Sequence, residues 1–460
     1  MAETYDVVVV GGGPAGENVV GRCAAGGLSV ALVEQELVGG ECSYWGCIPS
    51  KTLLRPGDVL AAARRVPGAV EAVNGHLDAA AAFAQRDYMT ASWSDEGQAR
   101  WLEDVGATLV RGRGRLAGEL AVDVDANGST TRLTARRAVV LATGTSPVLP
   151  PIQGLEDVMA WTNREATEAT SVPDRLVVLG GGAVGVELAQ AYARLGSEVT
   201  LVEGGPRLLA REEPFAGEEV RAAFEAEGIG VLLEARASAA MRANGTVTLT
   251  LEDGRELAAD ELLVGVGRRP NTREIGLDTV GLEAGRPVEV DDSLRAVGVE
   301  GGWLYAIGDV NGRAPLTHMG KYHGRLAGDA ILGKEVRALA DRKALPRVTF
   351  TDPQVAAAGL TEQQARDAGI DVRTVTTGTG DVAGAYTRGN GIAGTSKLVV
   401  DEARGVVVGA TFTGPDVQEL LHSATIAIVA ETPLDTLWHA VPSFPTVSEV
   451  WLRLLEAYGL

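Results

Sequence analysis

The sequence predicts an α/β protein with two doubly wound, Rossmann-like domains followed by an α+β domain. Three observations carry this prediction. A pattern of strand, glycine turn, helix and strand occurs at 7–34, "VVVVGGGPAGENVVGRCAAGGLSVALVE", and again at 176–203, "LVVLGGGAVGVELAQAYARLGSEVTLVE". In both copies G-x-G-x-x-G follows the strand directly, as Gly11, Gly13, Gly16 and Gly180, Gly182, Gly185, and a strand-end glutamate lies 23 residues after the first glycine, at Glu34 and Glu203. Beyond about residue 340 the pattern changes to hairpin-like strands, "RVTFTDPQVAAAGL" and "SKLVVDEARGVVVGATFTG", and then to helices.

Size and composition set the frame. A chain of 460 residues exceeds what one core usually supports. Its 45% apolar and 22% charged residues are globular composition. The longest apolar runs are strand-length, short of the ~18 residues of a membrane span, so no membrane insertion is expected. The N-terminus enters the strand "YDVVVV" almost at once, without a basic region or cleavage site, which predicts a cytoplasmic location. A formal charge of −20 and a sequence pI near 4.8 argue against nucleic acid and anionic membranes as partners.

The first repeat, taken from its N-terminal end, has a specific physical reading. The first glycine allows a tight turn, the second lets the backbone approach a pyrophosphate, and the third lets helix and strand pack closely. The helix N-terminus offers unpaired N–H groups and partial positive charge to phosphates, and the glutamate suits a ribose diol. Pro14 and Ala15 complete the first turn. One such motif is weak evidence, but two in full βαβ context imply two bound dinucleotides. Cys23, inside the first helix, reads as a small buried core residue.

Next comes "GGECSYWGCIPSK", 39–51, with Cys42 and Cys47. Taken alone, the pair fits a structural bridge, metal ligands or a redox dithiol. Three cysteines in the whole chain do not make a disulfide scaffold. Zinc normally takes four ligands, and all five histidines lie beyond residue 75, so no metal site is expected. Further on, "RRAVVLATGTSPVLPPIQG", 136–154, is a buried strand turning at Gly144 into a proline-rich crossover. "DELLVGVGRRPNT", 260–272, echoes it after the second repeat. "GWLYAIGDVNGRAPLTHMGKYHGRLAG", 302–328, is a strand ending in Gly308-Asp309, then a loop and a helix. An aspartate at a strand's C-terminal end points to the ligand crevice of an α/β sheet. The expected limits are 1–150 with 272–340 for the first domain, 151–271 for the second and 341–460 for the third.

The ordered set of motifs resembles the flavin-dependent pyridine-nucleotide disulfide oxidoreductases, which include dihydrolipoamide dehydrogenase, glutathione reductase, mercuric reductase and soluble transhydrogenase. The match runs through the first fingerprint, the Cys pair with "IPSK", the "ATG" turn, the second fingerprint with "GVE", "GRRPN", "IGD" and a C-terminal "PTVSE". The resemblance implies FAD at Gly11, Gly13, Pro14, Ala15, Gly16, Glu34, Gly40, Thr143, Gly144, Gly308 and Asp309. It implies a nicotinamide nucleotide at Gly180, Gly182, Gly185, Glu203 and Gly267. Lys51 and Glu187 resemble the family's ion pair beside the flavin. Cys42 and Cys47 would form a redox-active disulfide, with Cys47 nearer the flavin and Cys42 the exchanging thiol. The third domain is similar to the family's dimerisation domain, so a homodimer with an active site shared between subunits is expected. The implied reaction passes a hydride from NAD(P)H to FAD, then electrons to the dithiol and on to a small-molecule acceptor.

Departures from the family pattern bear on that acceptor. Relatives that reduce small disulfides carry a His-Pro motif followed by a glutamate. Here "HAVPSFPTVSE", 439–449, places Phe444 before the proline while keeping Glu449. Phenylalanine takes no proton, so the usual exchange base is missing. His439 substitutes only through an irregular backbone and otherwise reads as a strand histidine. Around the cysteines, Glu41, Tyr44 and Trp45 replace the usual family text. The Trp-Gly pair and the aromatic-Pro-Thr ending resemble soluble transhydrogenase, which lacks the second cysteine. Mercuric reductases also have an aromatic in place of the histidine, but they carry a C-terminal cysteine pair, whereas this chain ends "WLRLLEAYGL", so mercury reduction is disfavoured. Trp45 and Phe444 either line an apolar acceptor pocket suited to a flat quinone or merely pack.

Three alternatives stand beside the disulfide-reductase reading. One is a quinone, metal-ion or oxygen reductase, or a transhydrogenase-like diaphorase, that bypasses the dithiol. Another is a dihydrolipoamide-dehydrogenase-like subunit of a multienzyme complex. The third, a non-catalytic flavin-binding sensor, is disfavoured by the intact nucleotide motifs and cysteine pair. Glu203 repels a 2′-phosphate and favours NADH, while Arg207 and Arg211 keep NADPH as the alternative.

Overall fold

The computed structural model describes residues 3–460. It divides into two compact units. One comprises the described part of Met1–Pro49 with Asp87–Pro147 and Arg268–Asp341; the other comprises Ser50–Arg86, Val148–Gly267 and Arg342–Leu460. The segment Ser50–Arg86 groups with the second unit, although the sequence reading placed it in the first domain, and 151–271 and 341–460 fall in one unit.

In the first unit the strand Glu3–Val10 is parallel to Val30–Glu34 on one side and Ser129–Leu141 on the other. Thr108–Arg111 extends the sheet beyond Val30–Glu34, and Leu304–Ala306 pairs in parallel with Ser129–Leu141. Arg113–Leu116 and Ala121–Ala126 add antiparallel strands. Val7 to Val10 and Val139 to Leu141 are all buried. Such unbroken β-branched runs belong to a parallel sheet covered on both faces. The helix Pro14–Ala25 starts with proline in its first turn and buries Val19, Val20 and Cys23 against the sheet. The thiol of Cys23 is fully buried, and burial, together with the negative charge of Asp329, pushes its pKa up to about 12. It is a core residue, as its place in the helix predicts.

The second unit holds a four-stranded parallel sheet in the order Gly230–Leu232, Glu198–Val202, Arg175–Leu179, Glu261–Val264. An antiparallel layer of Ala237–Ala243, Thr246–Leu251 and Glu256–Ala259 belongs to it as well. The C-terminal strands form a five-stranded antiparallel sheet, with Thr395–Asp401 and Val406–Gly414 as its hairpin. Helices Val417–Val429 and Val450–Tyr458 bury Leu420, Ala424, Leu454 and Leu455 in one core with Phe412. The α/β class with an α+β C-terminal region is therefore observed. No helix is long and apolar enough among the described residues to cross a membrane.

Candidate functional site

The two glycine turns have the same construction in detail. Gly11 and Gly180 take φ of +106° and +112°, a left-handed backbone that L side chains rarely adopt. A Cβ on Gly16 would stand 2.0 Å from the Gly11 carbonyl oxygen, and one on Gly185 would stand 1.9 Å from that of Gly180. Helix and strand are thus too close for any side chain at the third glycine. The second glycine differs. A Cβ on Gly13 or Gly182 would meet nothing within 4 Å, and each residue is the N-cap of its helix. Open space before unpaired helical N–H groups is what a pyrophosphate requires.

The paired glutamates match as well. Glu34 Oε2 accepts from Gly12 N–H at 2.6 Å, and its Oε1 accepts from Glu36 N–H at 2.7 Å. Glu203 Oε2 accepts from Gly181 N–H at 2.6 Å, and its Oε1 accepts from Gly205 N–H at 2.6 Å. Each carboxylate is fixed at the mouth of its turn. Burial raises the Glu34 carboxyl above the usual carboxylate range against those backbone bonds. Arg207 donates to the carbonyl oxygens of Ala210 at 2.8 Å and Glu212 at 3.3 Å in its own loop, while Arg211 is exposed.

The cysteine segment lies against the first turn. Gly39 and Gly40 both have positive φ, and a Cβ on Gly40 would stand 2.8 Å from the Gly13 Cα. Cys42 sits in the short helix Gly40–Tyr44, and Cys47 opens the helix Cys47–Arg65, whose N-terminal dipole favours negative charge. Both residues are unbridged thiols, partly buried. A hydrogen bond with Cys47 raises the Cys42 pKa most, and burial adds to it; Thr317 and Lys321 act in the opposite direction. Cys47 Sγ lies 3.3 Å from the Thr317 hydroxyl.

A polar chain runs beside this segment. Thr145 Oγ1 donates to Asp309 Oδ2 at 2.9 Å. Arg268 donates to Thr145 Oγ1 at 2.8 Å, to the Thr145 carbonyl at 2.7 Å and to Glu41 Oε2 at 3.1 Å. Burial raises the Asp309 carboxyl, with the Thr145 bond opposing. Thr143 and Asn271 exchange two bonds of 2.9 Å, which locks the strand end before Gly144, itself at φ +67°. Gly308, at φ +71°, would press a Cβ to 3.1 Å from Ala15.

In the second unit, Lys51 Nζ bonds to Glu187 Oε2 at 2.6 Å, and Glu187 Oε1 accepts from Phe350 N–H at 3.0 Å. Glu187 is buried, and the ammonium lies 4.8 Å from the Phe350 ring centre. Gly267 has φ +143° with open space around it. Glu449 is buried: its Oε1 accepts from Arg453 at 3.1 Å, and its Oε2 has no hydrogen-bond partner among the described residues.

One expectation changes, and two aromatic residues left open by the sequence take definite surroundings. His439 is not on a strand; it follows the helix Leu434–Trp438 as its exposed C-cap, because Pro433 and the apolar 434/437 spacing start a helical turn there. Trp45 packs: it is 7% exposed and sets its ring edge-on to Tyr44 at 5.6 Å. Phe444 is 75% exposed. Sequence reasoning also passed over Thr317 and Arg268, whose motifs were noted without their side chains being weighed. The signal for Arg268 was its place in "GRRPN"; Thr317 carries no local signal.

Comparison with known proteins separates the chain after residue 324. Residues 5–324 match the family described as "Pyridine nucleotide-disulphide oxidoreductase", and residues 345–454 match its "dimerisation domain". A mercuric reductase of Acidithiobacillus ferrooxidans is 34% identical over 431 residues, covering 92% of this chain and 77% of that protein. A dihydrolipoyl dehydrogenase of Mycobacterium tuberculosis is 35% identical over 457 residues, covering 97% of this chain and 96% of that protein. The solved Cu(II) complex of the HOCl-induced flavoprotein disulfide reductase RclA from Escherichia coli superposes with a TM-score of 0.87 at 25% identity, covering 99% of both chains.

Proposed function

The chain belongs to the pyridine nucleotide-disulphide oxidoreductase family of FAD-dependent enzymes, and on that premise we propose that its reaction runs through a redox-active Cys42–Cys47 pair. The observation that carries this reading is the position of Cys47 as the first residue of the helix Cys47–Arg65, just after the short helix that holds Cys42, with the Thr317 hydroxyl 3.3 Å from its sulfur.

The glycine cradles fit the two dinucleotides. Gly11, Gly13, Gly16, Glu34, Gly40, Thr143, Gly144, Gly308 and Asp309 would hold FAD, with Asp309 near its ribityl and phosphate region. Gly180, Gly182, Gly185, Glu203 and Gly267 would hold the nicotinamide nucleotide. The chemistry these groups supply when bound is transfer of an electron pair from reduced nicotinamide toward the dithiol. The protein's own part is to hold the cofactors, keep Cys42 and Cys47 in contact and favour a thiolate, the nucleophile in exchange. Lys51 and Glu187 would serve as the ion pair that the family resemblance implies. Glu203 favours NADH, since its carboxylate stands at the turn and Arg207 is engaged with its own loop. The region matching the dimerisation domain supports a homodimer.

Phe444 favours an acceptor other than a small disulfide handled by a histidine base. The mercuric reductase relative and the Cu(II) complex of RclA are reasons to include metal ions in an acceptor screen, beside atypical disulfides. Anaerobic titration with NADH tests the reading. Uptake of four electrons per FAD supports a working dithiol, and uptake of two sinks it. Undiminished turnover of the best acceptor by Cys42→Ala would favour a path that bypasses the pair.

A further inference from the structure

A reduced dithiol carries negative charge into a partly buried site, and that charge needs partners. Four features of the first unit bear on it. The first is the N-terminus of the helix Cys47–Arg65, which Cys47 itself opens.

The second is Thr317. It is the first residue of the helix Thr317–Ile331, whose N-cap is Leu316 and makes no side-chain cap. The Thr317 hydroxyl lies 3.3 Å from Cys47 Sγ. Toward a thiolate a hydroxyl can only donate.

The third is Lys321, four residues on and therefore on the same helix face one turn along. Its positive charge lowers the pKa of Cys42 and also that of Glu17, whose carboxyl burial raises. The fourth is the neighbouring negative charge. Glu41, next to Cys42, is tied to Arg268 at 3.1 Å, and Asp309 accepts from Thr145 at 2.9 Å, so these carboxylates have partners of their own. Lys321 acts on both Glu17 and Cys42. Position 444, with its phenyl ring, contributes no charge to this balance.

We propose that the Thr317–Lys321 face is the element that stabilises the dithiol's negative charge in this chain, with the Thr317 hydroxyl donating to the Cys47 sulfur and the Lys321 ammonium acting on Cys42. The proposal rests on the reading of Cys42–Cys47 as the working pair. It assigns Thr317 direct contact with a reacting atom and makes Lys321 a positioning charge. It also gives the chain a source of thiolate stabilisation within one subunit, independent of any group at the C-terminal end. Soft metal ions and strained or activated disulfides, which need a thiolate more than a proton donor, are the acceptors such an arrangement serves.

The test uses the FAD-loaded enzyme, reduced under argon, with the rate of iodoacetamide alkylation at Cys42 followed by peptide mass from pH 5 to 10. Lys321→Met should move the profile to higher pH and slow alkylation at pH 7 by about tenfold, the effect of one lost opposite charge nearby. Lys321→Arg should stay within about twofold of wild type, because the charge is kept. Thr317→Val should weaken the long-wavelength absorbance that a thiolate beside oxidised flavin produces, and Thr317→Ser should restore it. Superimposable profiles for Lys321→Met and wild type overturn the proposal. Equal losses in Lys321→Met and Lys321→Arg overturn it as well, since they mark a packing effect. Unchanged turnover in Cys42→Ala would instead refute the working pair while leaving the alkylation profiles to speak for the electrostatics.

Discussion

Lys51 Nζ lies 2.6 Å from Glu187 Oε2, and the other oxygen of Glu187 accepts from the Phe350 N–H at 3.0 Å. The two partners are unequally exposed: the Lys51 side chain is 32% exposed and that of Glu187 5%. Breaking the pair from the lysine side strands a buried carboxylate, whereas breaking it from the other side leaves an ammonium that reaches water. Lys51→Met should therefore destabilise more than Glu187→Gln. An order-of-magnitude cost is about 2 kcal/mol for Lys51→Met, below the full cost of breaking a buried pair because Lys51 is partly screened. Urea unfolding of the two variants checks the order.

The third glycines separate the two cofactor sites. A Cβ on Gly16 would collide with the Gly11 carbonyl, and one on Gly185 with that of Gly180. Gly16→Ala should purify with little flavin. Gly185→Ala should keep its flavin and lose nicotinamide-dependent reduction, seen as a KM rise of tenfold or more, the scale of about 1.4 kcal/mol. Flavin absorbance per protein and the NADH KM are the measurements. Full flavin in Gly16→Ala would refute the assignment of the first turn.

Nucleotide choice tests Glu203, whose carboxylate is set by the Gly181 and Gly205 N–H groups. Glu203→Ala should cut kcat/KM for NADH by roughly tenfold, the value of a charge-assisted hydrogen bond, and narrow its advantage over NADPH. A ratio of the two kcat/KM values unchanged from wild type would remove Glu203 from the specificity argument.

Stability should depend on pH through Asp58. Burial raises its carboxyl from 3.8 to about 6, although Arg194 at 3.1 Å opposes the shift. The folded state thus holds this proton more tightly than the unfolded chain does. The contribution is fully present below pH 4 and is lost as pH rises through about 6. Asp58→Asn, which keeps a carbonyl oxygen for Arg194, removes that loss. Its stability relative to wild type should rise by about 2 kcal/mol between pH 4 and pH 7. Urea midpoints across that range decide it; a constant difference would contradict the burial argument.

Much of this was legible along the chain because it depends on short separations. The valine runs, the glycine spacings and the strand-end glutamates each act within one βαβ unit, so 7–34 and 176–203 announced the α/β class and the two cradles. Even the different duties of the three glycines, turn, open approach and close packing, follow from local backbone geometry. The resemblance extended this to Lys51 with Glu187, 136 residues apart, which no periodicity could join.

Side-chain environment was not legible in this way. Thr317 meets Cys47 across 270 residues, and Arg268 meets Glu41 across 227. His439 proved to be an exposed helix cap and Trp45 a packed ring, because burial depends on which distant strands and helices close over a residue. The sequence by itself determined that this chain has two dinucleotide turns and a cysteine pair after the first. Only the tertiary structure decided which hydroxyl reaches the dithiol and which carboxylates already have partners, since charge and hydrogen bonding act through space between groups that the chain order keeps far apart.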